Sequence, residues 1–434
     1  MTVLLLHLPA GFEEDYPLAL ATMAAQIKSQ QIPVDALNMG RVGLDGLVKR
    51  LDQGDVGLVA MYLWSPAGNA RFVVDQEAID RANAVIAKVR AHHRPPFIAV
   101  AGPFATLTPD NVDADAVIVS DPIATFGEVA ECIATGRDFS KIPGLRAQPK
   151  RADQPVRNCP LPDRDLFPVA QYHRDHLPKG RCYTSVVTSY GCSFQCTYCP
   201  APSLFGQFNA RPVEQIVDEW RRLYTLYRVD GLLVEDDLFT ADRNRVMELC
   251  RSLTQKPIGI TWELLNGVRP EQLDHKLLTA MSQAGCTRLA LSLECANPEI
   301  LEKMGRSSDL AHVHSMTLAA RKLGISTTGY FMLGLPGETR EDRKKTYEMA
   351  TTLKLDMAHF TQASAWPGCS WKKEELVDVS ASERAGYYAR FYLHPGRAKR
   401  VAEVLGVGVT QIPEMVGRLK RWMTRPIEAR RTAI

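Results

Sequence analysis

The stretch that decides the fold is TSYGCSFQCTYCP, residues 188–200. It carries Cys192, Cys196 and Cys199 in the spacing C-x3-C-x2-C, directly after an apolar run typical of a strand. Thiolates are soft, anionic ligands that suit iron–sulfur clusters. Because an electron-transfer [4Fe–4S] cluster normally has four Cys ligands, three cysteines predict a cluster with one iron open to a substrate.

A structural zinc site is the alternative for the same three cysteines. Such a site needs a fourth ligand, and Cys182 is the only other cysteine nearby. The chain has ten cysteines, and these three form its one cluster in sequence. In a reducing compartment this pattern favours metal chemistry over a disulfide framework.

Alternating strands and helices follow the motif. We predict strands at 184–190, 231–235, 258–263, 288–294, 326–333 and 357–363. Six βα units with right-handed crossovers form a partial (β/α)6 barrel over residues 183–370, and sites on such barrels lie at the carboxyl ends of the strands. Residues 371–434 are predicted to be helical.

The same alternation precedes the motif. Residues 1–140 show strand patterns at 2–8, 34–39, 56–63, 97–101 and 114–119, and a long amphipathic helix at 70–91. This order predicts an α/β domain with a doubly wound parallel sheet, whose ligands lie outside the carboxyl ends of the strands. Residues 141–182 contain seven prolines and are predicted to be a linker.

Motif, position and barrel together resemble the radical S-adenosylmethionine (SAM) enzymes. In that family SAM chelates the open iron through its amino and carboxylate groups, and an electron from the cluster splits the sulfonium to give a 5′-deoxyadenosyl radical. The resemblance implies further SAM-binding residues along the barrel. They are Tyr198 before the last cysteine, Glu235 and Asp236 for the amino group, Arg269 for the carboxylate, Ser292 and Glu294 for the ribose, and Gly334 and Glu338 of GLPGET near the adenine.

Two of these assignments have a second interpretation. The acidic stretch 235–237 is also suited to capping the helix that starts near Arg243. The GLPGET stretch is also compatible with a plain strand-to-helix turn that places Glu338 in the first helical turn. Cys369, after the sixth strand, is a candidate catalytic thiol that would donate hydrogen or hold substrate; a structural role is the alternative.

The resemblance extends to the N-terminal region. AGPFATLTPD (101–110), SDPIATFGEVAE (120–131), LPDRDLFP (161–168) and FYLHP (391–395) resemble elements of radical SAM enzymes with a cobalamin-binding domain, the class B methyltransferases among them. This implies cobalamin, with Gly102, Phe104, Thr106 and Glu128 as candidate contacts. The chain departs from that pattern in lacking D-x-H-x-x-G, in placing Phe104 where His is usual, and in reducing GEGE to Gly127-Glu128.

The resemblance therefore implies cobalamin-dependent methylation of a small-molecule biosynthetic intermediate, with a low-potential electron donor such as flavodoxin or ferredoxin. One alternative is a radical SAM enzyme with a vestigial or differently used sheet domain that performs cyclisation, ring contraction or transfer of another SAM-derived group. Another is a non-catalytic iron–sulfur or corrin-binding sensor. The net charge of +3 does not indicate nucleic acid, and no membrane span or signal peptide is evident, so a cytoplasmic location is expected.

Overall fold

The computed structural model describes residues 1–9, 16–63, 76–148, 159–172, 182–307, 309–392, 394 and 397. The chain divides into two compact units between residues 174 and 175. Each unit is built on one parallel sheet with helices between its strands, so the predicted α/β class is confirmed.

Unit 1 contains a five-stranded parallel sheet in the order β2-β1-β3-β4-β5. Its strands are β1 (Thr2–His7), β2 (Val34–Asn38), β3 (Val56–Tyr62), β4 (Phe97–Ala101) and β5 (Ala116–Val117). Its helices are α1 (Leu18–Ser29), α2 (Met39–Leu51), α3 (Gln76–Arg90), α4 (Pro103–Leu107) and α5 (Pro122–Thr135). The predicted doubly wound sheet is confirmed, and the strand order changes direction between β1 and β3, which marks the ligand edge of such sheets. The start of the helix predicted at 70–91 lies outside the described residues.

Residues 142–148 and 159–172, both from the predicted linker, pack on unit 1. Leu145 forms a backbone bridge with Ile118 next to β5. The backbone N–H of Asp163 donates to the carbonyl of Ala21 at 2.8 Å, and its carboxylate pairs with Lys28 at 2.5 Å. These parts of the proline-rich segment therefore extend the sheet domain.

Unit 2 contains six parallel strands that neighbour one another in chain order, as the predicted partial barrel requires. They are β6 (Tyr183–Val186), β9 (Gly231–Val234), β10 (Thr261–Val268), β11 (Cys286–Glu294), β12 (Ser326–Leu333) and β13 (Met357–Gln362). Two differences from the prediction have local causes. The run at 184–190 is interrupted, because β7 (Ser189–Tyr190) pairs antiparallel with β8 (Asn209–Ala210). Strand β10 begins later than 258, after Gly259 adopts a left-handed backbone with φ of 86°.

Helices between the strands cover the outer face of this sheet. They are α7 (Val213–Tyr227), α8 (Arg243–Gln255), α9 (His275–Gln283), α11 (Leu310–Lys322) and α12 (Arg340–Thr352). Two short helices, α6 (Ala201–Phe205) and α10 (Pro298–Lys303), follow the cysteine motif and β11 respectively. The outward-facing Trp262 of β10 is fully buried and lies 5.9 Å from the ring of Trp220 and 5.5 Å from that of Phe239. Alternate strand residues thus face the helices, which leaves the others for the barrel interior.

Helix α13 (Ala381–Tyr392) covers the edge strand β13. The hydroxyl of Tyr388 accepts from the N–H of Phe360, and that of Tyr392 bonds both the N–H and the carbonyl of Ala358. These phenols satisfy backbone groups that an open sheet edge would leave unpaired. The remainder of the helical region predicted at 371–434 lies largely outside the described residues. Among the residues that are described, no helix is long and apolar enough to cross a membrane.

Candidate active site

The three motif cysteines lie on the loop between β7 and α6, beyond the carboxyl end of β6. All three are half-buried free thiols. Burial raises the pKa of Cys192, and it raises the pKa of Cys199 to about 12. A bound metal centre reverses this effect, because ligation stabilises the thiolate and releases its proton.

The geometry does not fit the zinc alternative. Cys182 precedes β6 and therefore lies at the opposite end of that strand, where its N–H donates to Asp230 at 2.8 Å. Among the described residues, one group of three potential metal ligands lies within 4.8 Å of one another, and it is Asp52, His92 and His93 of unit 1. A tetrahedral zinc ion holds its sulfur ligands about 3.8 Å apart, given its bond length. The three motif sulfurs do not all lie within 4.8 Å of one another, and the fourth cysteine that the zinc alternative named is at the other end of β6.

Asp236 holds the beginning of the cysteine loop. Its buried carboxylate accepts from the N–H of Thr188 at 2.6 Å, from the hydroxyl of the same residue, and from the hydroxyl of Ser189 at 2.6 Å. Arg245 lies 3.7 Å from this carboxylate and also donates to Thr188. Asp236 is thus engaged with the protein, and its predicted contact with the SAM amino group stays a prediction.

The rest of the acidic stretch contacts the loop and the strand β6 that precedes it. Asp237 accepts from the N–H of Gly191 at 2.9 Å, and the half-buried Glu235 accepts from the hydroxyl of Ser185 at 3.1 Å. Helix α8 is capped instead by Asp242, whose carboxylate accepts from the N–H of the third helical residue. The interpretation of 235–237 as a helix cap is therefore wrong, because a 310 turn separates the stretch from the helix.

Arg269 follows β10 and contacts the cysteine loop. Its guanidinium stacks over the ring of Phe194, which lies between the first two motif cysteines, at 3.7 Å from the centroid. Nε and Nη2 of Arg269 bond Glu271 at 3.3 and 3.2 Å, whereas Nη1 is buried and has no hydrogen-bond partner among the described residues. A buried, unpaired guanidinium nitrogen at this position fits the carboxylate of SAM that the resemblance assigned to it.

Glu294 ends β11 beside the same loop. Its buried carboxylate accepts from the hydroxyl of Tyr198 at 2.9 Å and from Arg306 at 3.2 Å. Burial raises the pKa of Glu294, and the guanidinium opposes this effect. The strand shifts register between Ser292 and Glu294, and Glu294 has a left-handed backbone with φ of 65°. The regular alternation expected for this pair therefore ends at Ser292, whose hydroxyl lies against Gly267 on the neighbouring strand.

The GLPGET stretch forms a tight turn between β12 and α12. Gly334 has φ of 84°, and a Cβ there would lie 2.2 Å from the carbonyl oxygen of Val377. Its N–H donates to the carboxylate of Glu338 at 2.5 Å, and burial raises the pKa of that carboxyl to about 7. Thr339 and Asp342 form the capping box of α12. Glu338 thus precedes the cap, so the interpretation that placed it in the first helical turn is wrong.

Cys369 lies on a turn after β13 that contacts the cysteine loop. Its sulfur accepts from the N–H of Trp366 at 3.2 Å, and the next residue, Ser370, donates to the carbonyl of Thr197 at 2.8 Å. The indole of Trp371 donates to the hydroxyl of Thr197 at 3.1 Å. The structure therefore brings Cys369 near the motif, and its catalytic role stays a prediction. Trp371 and Arg306 are contacts of the site that the sequence did not single out.

The predicted cobalamin contacts occupy different environments in unit 1. Gly102 directly follows β4 and has φ of 108°, and a Cβ there would meet the carbonyl oxygen of Leu63 at 2.4 Å. Thr106 lies in the short helix that follows, at the same edge of the sheet. Phe104 is fully buried in the core, and Glu128 lies within α5. Gly102 and Thr106 are thus at the predicted ligand edge, whereas the side chain of Phe104 is not available to a ligand.

A second group at this edge surrounds the end of β1. His7 and Tyr16 each contact the ring of Tyr172, at centroid distances of 5.6 and 5.4 Å. Arg164 stacks over the ring of Tyr16 at 4.4 Å. Arg164 and Tyr172 come from the proline-rich segment, far along the chain from His7 and Tyr16, so the strand and helix patterns of the sequence could not indicate this group.

Residues 186–350 match the Radical SAM superfamily, so the chain contains a Radical SAM domain, as the cysteine motif predicted. A protein of Pyrococcus horikoshii, named an uncharacterized methyltransferase, is 29% identical over 341 residues, which are 69% of this chain and 73% of that protein.

Two solved structures share the fold. One is the radical SAM methyltransferase TsrM from Kitasatospora setae with cobalamin and a [4Fe–4S] cluster bound. It has a TM-score of 0.71 and 17% identity over 85% of this chain and 73% of its own. The other is the cobalamin-dependent SAM radical enzyme OxsB, with a TM-score of 0.67 and 13% identity over 97% of this chain. This chain covers 61% of the length of OxsB. At these identities the likeness establishes the fold.

Proposed function

We propose that the protein is an enzyme that cleaves SAM reductively at a [4Fe–4S] cluster held by Cys192, Cys196 and Cys199, and that it methylates a small molecule with the help of cobalamin. The observation that carries this proposal is the cysteine loop itself. It places three ligands at the carboxyl edge of the barrel, where Arg269 presents a buried and unpaired nitrogen. A site of this composition is suited to a cluster with one open iron.

The residues around the loop fit the expected parts of SAM. When bound, the cluster supplies the one electron that breaks the bond between sulfur and C5′ and leaves methionine as the second product. Arg269 would pair with the carboxylate, and the half-buried Glu235 after β9 would accept from the amino group. Glu294 and Ser292 would bind the ribose, and the turn that begins at Gly334 would hold the adenine.

The cobalamin part of the proposal rests on unit 1. Its strand order, the loop after β4 that carries Gly102 and Thr106, and the likeness to TsrM and OxsB support a corrin at the carboxyl edge of this sheet. The methyltransferase part is supported by the relative from P. horikoshii. Phe104 favours the alternative with a differently used sheet domain, because it stands where the resemblance expects a His and its ring is buried in the core. The similarity to enzymes disfavours the sensor alternative.

The experiment is turnover without oxygen in the presence of SAM labelled at its methyl group, a low-potential reductant and candidate substrates, with and without hydroxocobalamin. The proposal expects 5′-deoxyadenosine and a labelled small molecule, the latter only when the corrin is present. The matched control replaces the three motif cysteines by Ala. SAM cleavage without corrin retention would favour the alternative chemistry, and no 5′-deoxyadenosine above the control would refute the proposal.

The partners and location belong to the same proposal. The cluster needs a low-potential electron donor such as flavodoxin or ferredoxin, and a thiolate-ligated cluster persists in a reducing, cytoplasmic setting. Reduction by purified flavodoxin or ferredoxin, followed by the cluster absorbance, tests the donor.

A further inference from the structure

We infer that Tyr198, Glu294 and Arg306 form a bridge that couples occupancy of the cluster site to binding of the adenosine part of SAM, with Arg306 as a positioning residue. The inference rests on the proposed function, since it needs a cluster on the motif cysteines and the ribose near Glu294. It adds a coupling between cluster binding and adenosine binding, which neither site alone implies.

The bridge joins the cysteine loop to the end of β11. Tyr198, next to the last motif cysteine, donates its hydroxyl proton to Oε1 of Glu294 at 2.9 Å. Nη1 of the buried Arg306 donates to the same carboxylate oxygen and to the Tyr198 hydroxyl, each at 3.2 Å. Nη2 donates to the backbone carbonyl of Ser292 at 2.6 Å. One guanidinium therefore contacts the loop, the carboxylate and the strand.

The backbone around Arg306 follows the loop as well. Thr197 donates its N–H to the carbonyl of Met304 at 3.3 Å and its hydroxyl proton to that of Lys303 at 3.4 Å. A Cβ on Gly305 would be in van der Waals contact with the carbonyl oxygen of Gln195, at 3.4 Å. A shift of the cysteine loop would therefore move the segment that carries Arg306.

Glu294 is sensitive to such a shift. Its left-handed backbone, with φ of 65°, is unfavourable for a residue with a side chain and persists only where its surroundings hold it. Both donors bind Oε1, and Oε2 accepts no hydrogen bond from the described residues, which leaves it for ribose hydroxyls. When Cys196 and Cys199 bind a cluster, Tyr198 between them is held in place. Its hydrogen bond then positions the carboxylate of Glu294 before adenosine binds.

The test uses 5′-methylthioadenosine, which has the adenine and ribose of SAM but no amino or carboxylate group for the iron. Its affinity is measured by equilibrium dialysis for protein with and without reconstituted cluster, and iron content is measured for each sample. We expect roughly tenfold tighter binding to the cluster-loaded protein, as one charge-assisted hydrogen bond supports. Tyr198→Phe, which keeps the ring packed on Trp371, should reduce the ratio to about twofold or less.

Tyr224→Phe is the matched control, because this exposed tyrosine lies on α7, and it should keep the full ratio. Arg306→Lys, which keeps the charge and loses the fork of donors, should lower the ratio at unchanged iron content. Equal affinity for the loaded and cluster-free wild type would overturn the inference, as would an unchanged ratio in Tyr198→Phe. A protein that still carries the cluster and cleaves SAM would in either case leave the proposed function intact.

Discussion

Replacing Asp236 by Asn tests how the barrel holds its cysteine loop. The carboxylate is fully buried, accepts three hydrogen bonds from Thr188 and Ser189, and lies 3.7 Å from Arg245. Asn retains one acceptor oxygen, but its NH2 group would face the donors of Thr188 and Ser189. Arg245 would also lose its countercharge. A hydrogen bond to a charged group contributes about 1.5–3 kcal/mol, and removing one member of a buried ion pair costs about 3–5 kcal/mol. We expect unit 2 to lose about 4 kcal/mol of unfolding free energy.

The assay is urea unfolding followed by tryptophan fluorescence, since Trp220 and Trp262 are both fully buried in unit 2. The matched control is Asp242→Asn, because Asn caps a helix about as well as Asp and the change should stay within about 0.5 kcal/mol. Reconstituted iron content should also fall in Asp236→Asn and not in the control. A loss below about 1 kcal/mol in Asp236→Asn would refute the view that this network anchors the loop.

Three further predictions concern the turn after β12 and the sheet domain. Gly334→Ala should destabilise unit 2 by at least about 1–3 kcal/mol in the same urea assay, because the left-handed backbone and the nearby carbonyl oxygen exclude a Cβ; an unchanged midpoint would contradict this. Burial raises the pKa of Glu338 from its usual 4.5 to about 7, so the protonated form stabilises the fold. Wild-type stability should therefore fall by about 2–3 kcal/mol as pH rises from 4.5 towards 7, relative to Glu338→Gln, in thermal unfolding across that range, and parallel pH profiles would contradict it. Phe104→Ala should cost unit 1 about 3–5 kcal/mol in its thermal unfolding, as for a buried ring, whereas a loss under about 1 kcal/mol would indicate an exposed ligand contact.

Much of the fold was predictable because buried parallel strands produce continuous apolar runs. The run at 2–8 and those that follow the motif indicated both sheets. Local backbone irregularities were not predictable from these runs. The register shift at Glu294 and the late start of β10 depend on pairing with neighbouring strands. The packing of residues 159–172 on unit 1 depends on contacts with α1, which lies far away in the sequence.

The candidate site was predictable where its residues are close in sequence. Short spacers fix the three cysteines on one loop, so their pattern alone indicated a cluster. Contacts across the barrel left no such signal: Arg306 meets Tyr198 from 108 positions away, and Trp371 meets Thr197 from 174 positions away. The sequence also could not distinguish Asp236 from Glu235, because only the folded loop determines which carboxylate holds it.

The measurement that tests the central claim most directly is spectroscopy of the anaerobically prepared protein before any turnover. Iron and sulfide analysis with Mössbauer spectra should give about four of each per chain in a [4Fe–4S] cluster, with one iron site changed by added SAM. The change should be absent when Cys192, Cys196 and Cys199 are replaced by Ala. Stoichiometric zinc in place of iron would contradict the account, as would a cluster whose Mössbauer spectrum is unchanged by SAM at all four iron sites.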